Sequence, residues 1–106
     1  MSLRLPQGLA GPITSRQAAL DNVETEILAE TASALGRAGK KAAEALYRLD
    51  DPAALAETGR EALLRAAADA VWAFFIQRES CGQRDHRQHI QEMKIPRAVL
   101  IRMGAR

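Results

Sequence analysis

No proline interrupts residues 13–51, and that stretch carries one unbroken pattern. Leu28, Ala32, Leu35, Gly39, Ala42, Leu46 and Leu49 step alternately by four and three residues. This is the seam of a helix packing lengthwise on another helix. Leu20, Val23 and Ile27 extend the apolar face upstream. Gly36 and Gly39 each cost a helix about 1 kcal/mol relative to alanine. Gly39 lies on the seam, so it is read as a point of close helix approach, with the helix continuous through both glycines.

The punctuation around this stretch sets the other boundaries. Pro6, Gly8, Gly11 and Pro12 predict an extended N-terminal arm over residues 1–14. Thr14 with Gln17, and Asp21 with Glu24, have capping-box spacing, so helix one is expected over 15–49. Asp51 suits an N-cap and Pro52 a first helical position, opening a second helix over 52–80. Thr58, Gly59 and Glu61 allow that helix a short preface, 52–58, ahead of its main body. Gly82 is placed to stop it. Residues 85–104 then read as short C-terminal helices, broken at Ile95-Pro96 and closed at Gly104. The expected fold is all-α: one domain, a long antiparallel helical hairpin plus two short C-terminal helices. Each long helix would measure about 40–50 Å at 1.5 Å per residue.

Composition agrees. Alanine supplies 21 of the 106 residues, and only Tyr47, Trp72, Phe74 and Phe75 are aromatic. That is a helical composition, unlike that of a sandwich or barrel. The single cysteine, Cys81, excludes an internal disulfide framework and fits a reducing compartment. Residues 1–12 lack the apolar run of a signal peptide. The longest apolar run, Ala70–Ile76, falls far short of the roughly 20 residues a membrane span needs. A soluble cytoplasmic protein is expected.

The segment Val71-Trp72-Ala73-Phe74-Phe75-Ile76 is apolar around the whole helix circumference. A hairpin covers one side of it; the tail helices or a second copy must cover the rest. This segment, the Gln77-Arg78-Glu79 that follows, Cys81-Gly82, Arg84-Asp85-His86, Ile95-Pro96, Val99-Leu100 and Met103-Gly104 carry a resemblance. So do Leu3-Arg4 and Glu26-Ile27-Leu28-Ala29-Glu30. On these residues the chain resembles an uncharacterised family of small helical bacterial proteins, common in alphaproteobacteria. The resemblance implies a short helical cytoplasmic protein and brings no activity, cofactor or catalytic residue.

Side chains that could carry chemistry are few. His86, His89, Glu92 and Cys81 are metal-ligand types near one another in sequence, but their spacing matches no standard zinc module and no second cluster exists. A cysteine hydrolase would need Cys81 at a helix N-terminus, and it precedes the glycine that ends a helix instead. Arg78, Glu79, Arg84 and Asp85 read as an ion-paired junction between helix two and the tail. No metal, cofactor or enzymatic activity is expected.

Charge is uneven. Residues 1–76 hold 8 Lys/Arg against 10 Asp/Glu, whereas residues 77–106 hold 7 against 3. The basic segment 77–106 offers Arg84, Arg87, Arg97 and Arg102 as anion-binding candidates, for nucleic acid or another anion. The outline of 85–103 is that of a helix-turn-helix, but its second helix is mostly apolar and makes a poor recognition helix. The favoured function is protein–protein interaction, first of all a homodimer, with an unknown protein partner and no membrane. Leu28, Leu35, Leu46, Trp72, Phe75 and Ile76 are the expected interface residues.

Overall fold

The computed structural model describes residues 4–104, with side chains described over 15–104. Among them lie α1 (Arg4–Arg48), α2 (Pro52–Thr58), α3 (Arg60–Ser80), α4 (Arg87–Glu92) and α5 (Arg97–Leu100), and no strand. The chain is all-α. It divides into two units, Met1–Ala32 and Ser33–Arg106.

α1 runs unbroken through Gly36 and Gly39, as the seam requires. It also starts at Arg4, where the sequence predicts an extended arm over residues 1–14. Pro6 falls in the first turn, whose N–H groups have no intrahelical acceptor in any case. Gly8, Gly11 and Pro12 weaken the next turns, but propagating an existing helix adds a hydrogen bond per residue fixed, without a new nucleation cost. Both capping-box positions lie inside the helix. Along its surface Gln17 Nε2 donates to Asp21 Oδ1 at 2.9 Å, and the Thr25 hydroxyl donates to the Asp21 backbone carbonyl at 2.8 Å.

Leu49, Asp50 and Asp51 join α1 to α2. The Asp51 carboxylate accepts the Ala53 N–H at 3.1 Å, and Pro52 occupies the first position. Gly59 then separates α2 from α3 at φ +92°, a conformation that costs glycine nothing. The Thr58 capping box is not made. Thr58 is still in α2, and its hydroxyl accepts from Arg48 Nη2 at 3.4 Å.

α3 and α4 end in the same way. At the end of α3 the Gln83 N–H reaches the Arg78 carbonyl, and the N–H of Gly82, at φ +88°, reaches Glu79. At the end of α4 the Ile95 N–H reaches the Ile90 carbonyl, and that of Lys94, at φ +52°, reaches Gln91. Both are Schellman motifs, and the second brings its apolar pair, Ile90 and Ile95, to the core.

Within Ser33–Arg106 the core is built on α3. Leu63, Leu64, Ala67, Ala68, Val71, Phe74 and Phe75 are buried on its inner side. They meet Ala42 and Leu49 from the end of α1, Ala54 from α2, and Ile95 and Val99 from the tail. Each fully buried Leu63, Val71 or Val99 side chain contributes roughly 1.5–3 kcal/mol. Small residues let the helices close. A Cβ on Gly39 would stand 3.2 Å from Phe74 Cε1, so the ring lies against bare backbone. α5 packs on α3, so the tail covers much of the aromatic segment.

Candidate functional site

Three places gather the sequence candidates: a polar cluster at the end of α3, the basic tail, and the apolar faces of α1 and α3.

At the first, Arg78 is only 6% exposed. Its Nη1 donates to the Asp85 carbonyl at 3.1 Å and also contacts His86 Nδ1. A guanidinium only donates, so His86 Nδ1 is the acceptor. The proton on the imidazole therefore sits on Nε2 and is donated to Glu79 Oε2 at 2.8 Å. The imidazole lies flat on Phe75, with ring centroids 4.1 Å apart and planes 4° from parallel. The cluster fastens the turn after α3 back onto the helix that precedes it. Buried charge is tolerated where it is hydrogen-bonded, although Arg78 Nε and His89 Nδ1 are buried without a partner.

In place of the expected ion-paired junction there is a hydrogen-bonded one with different members. His86 takes the place given to Arg84, which is exposed, and Asp85 pairs outward with Arg87. Sequence spacing alone could not show which of these neighbours turns inward.

The metal candidates are dispersed. His86 is held by Arg78 and Glu79, and His89 packs edge-on to Phe74 with centroids 5.7 Å apart. Glu92 accepts from Gln88 at 2.7 Å, and Cys81 is the half-buried C-cap of α3. Among the described residues no three His, Cys, Asp or Glu side chains are arranged to hold a metal ion.

The tail arginines are also partly engaged. Arg87 grips Asp85 through Nε at 3.1 Å and Nη2 at 2.8 Å, which holds the Asp85 carboxyl far below the usual carboxylate range. Arg102 grips Glu61 through Nε at 3.0 Å and Nη2 at 2.9 Å, and its Nη1 caps the Ala98 carbonyl at 2.6 Å. Those bonds lower the Glu61 pKa and raise that of Arg102. Two of the four anion candidates therefore already have carboxylate partners. Arg84 and Arg97 remain exposed.

The apolar candidates separate into two groups. Phe75 is 5% exposed and belongs to the chain's own core, so it is not an interface residue. Leu35 and Leu46 are half-buried against that core. Trp72 and Ile76 keep 43% and 44% of their surface, even with Gly104 so placed that a Cβ on it would stand 3.7 Å from the indole nitrogen. Leu28 is 69% exposed, and Leu20, Val23 and Ile27 are each at least half exposed. These three belong with Leu28 in a candidate surface, and their spacing of three and four was the signal. Two shallow grooves flank the core. One, of about 290 Å³, lies between the end of α1 and Met93, Lys94 and Pro96, beside the exposed Tyr47. The other, of about 220 Å³, is floored by Ala34, Ala38, Ala70 and Ala73 and edged by Arg37 and Lys41.

A family model spans residues 1–106. The chain belongs to DUF6665, a family of unknown function. No curated protein and no solved structure matches it significantly. Membership in DUF6665 agrees with the family resemblance carried by the aromatic segment. Among the described residues, no helix is long and apolar enough to cross a membrane.

Proposed function

We propose that the protein is a self-associating interaction module, not an enzyme, and that its first product is a homodimer. The reading takes α3 and the end of α1 as an antiparallel hairpin, two of which pair into a four-helix arrangement. The observation that carries it is the exposed row Leu20, Val23, Ile27 and Leu28 on α1. A lone helix in water draws its stability from burying such a face, and contiguous exposed apolar surface marks interaction sites. Trp72 and Ile76 add apolar surface on α3. Two-fold pairing is the commonest way to cover faces of this kind. A cytoplasmic location, in a bacterium, goes with the lone thiol of Cys81.

Light scattering coupled to size exclusion tests the proposal. The expected mass is twice the 11.6 kDa of one chain. Ile27→Asp, which places a charge in the exposed row, should return it to one chain mass with far-ultraviolet dichroism of the core helices retained. A single-chain mass for the unaltered protein across a wide concentration range would refute self-association.

A further inference from the structure

We infer that the partner of the exposed α1 row is the α1 of a second copy, running antiparallel and centred near residues 31–34; this rests on the self-association reading above. Charge along the helix is segregated. Residues 21–30 carry Asp21, Glu24, Glu26 and Glu30 and no Lys or Arg. Residues 31–43 carry Arg37, Lys40 and Lys41 and no Asp or Glu. A parallel pair lays acid on acid and base on base along this whole length. An antiparallel pair centred near 31–34 lays most of each acidic stretch on the other copy's basic stretch, with Glu24 opposite Lys41 and Asp21 alone opposite an acid, Glu44. Like charges facing across a helix pair are destabilising and opposite charges favourable, so charge selects the orientation.

Apolar size follows the same division. The acidic stretch carries the large exposed side chains Val23, Ile27 and Leu28. The basic stretch carries the groove floored by Ala34 and Ala38, together with Ala70 and Ala73 of α3, with Lys41 at its edge. In that register Ile27 of one copy lies at the level of Ala38 of the other, a large side chain against a small one, the condition for a knob to enter a hole. The arrangement is self-complementary, as a two-fold interface must be.

Cysteine crosslinking of the full chain in a Cys81→Ser background reads the orientation directly. Glu24→Cys and Lys41→Cys chains, mixed and oxidised, should form the mixed disulfide, while neither forms a disulfide dimer alone. Self-crosslinking of Glu24→Cys alone, or no crosslink in the mixture, would overturn the antiparallel register. Charge reversal gives a second readout. Glu24→Lys with Glu26→Lys should weaken dimerisation roughly tenfold at low salt, and Lys40→Glu with Lys41→Glu in the same chain should restore it. Unchanged association in the reversed variant would also overturn the inference. The unaltered chain, weighed in parallel, keeps the two questions apart: a monomer refutes self-association itself, whereas a dimer that fails these tests refutes only the register.

Discussion

α1 carries one apolar pattern along two stretches with opposite fates. Over residues 35–49 the pattern is in contact with the core: Ala42 and Leu49 are buried, and Leu35, Ala38, Ala45 and Leu46 pack against them. Over residues 20–28 equally large side chains stand in solvent. Apolar spacing does not separate the two, although their charges differ in sign. The first stretch lies against α3, where Gly39 closes on Phe74. An apolar stripe states that a helix face wants a partner; it does not say whether the same chain provides one.

The largest test of that contrast removes one side chain from each kind of surface. Phe75→Ala should cost roughly 3–5 kcal/mol, because the ring is enclosed and the imidazole of His86 loses its stacking surface. Ile27→Ala, measured at concentrations too low for association, should change stability by less than about 0.5 kcal/mol. Urea unfolding reads both, followed through Trp72 fluorescence for Phe75→Ala and through helical dichroism for Ile27→Ala. Similar losses at the two positions would show that the two stretches of α1 do not differ in cover.

A finer test uses the two glycines of α1. A methyl group added at Gly36 meets nothing within 4 Å, whereas at Gly39 it meets the Phe74 ring at 3.2 Å. Gly36→Ala should gain about 1 kcal/mol from helix propensity. Gly39→Ala should fall short of that gain by about 1 kcal/mol or more, since the ring has to shift. Equal gains in melting experiments would place Gly39 away from any close contact.

The smallest effect concerns pH. The Arg102 guanidinium holds the Glu61 carboxyl below its ordinary value. A carboxylate lowered by folding adds stability above its unfolded pKa, about 4.3, and loses it as pH falls through the folded value. The unaltered chain should therefore weaken more steeply in acid than Glu61→Gln. Both residues lie in Ser33–Arg106, so the effect should appear in Trp72 fluorescence during acid unfolding. Identical acid slopes would mean that the pair contributes nothing measurable, as exposed pairs often do.

Much of the fold was legible because it depends on local chemistry. The Asp51-Pro52 start of α2, the Gly59 break, the Gly82 stop and the Ile95-Pro96 boundary each follow from what one or two residues permit in the backbone. Taken singly, Pro6, Gly8, Gly11 and Pro12 favour a break, and Thr14 and Asp21 favour a helix start; helix propagation is cooperative and runs through them. At the polar cluster, Arg78, Glu79, Arg84 and Asp85 are recognisable as a junction. That His86 turns inward is not, because its place depends on Phe75 lying beneath the imidazole and Arg78 meeting its Nδ1.

The sequence by itself determined the helical class, most element ends and the continuous seam of α1, since backbone preference and side-chain periodicity act over a few residues. Only the tertiary structure decided which apolar side chains are enclosed. It placed Phe75 in the core and left Trp72 and Ile76 half exposed within the same helical turns. It also gave Arg87 and Arg102 to carboxylates of the same chain. Enclosure and pairing depend on where distant segments arrive in space. Glu61 meets Arg102 across 41 residues of chain, a separation over which local pattern carries no information.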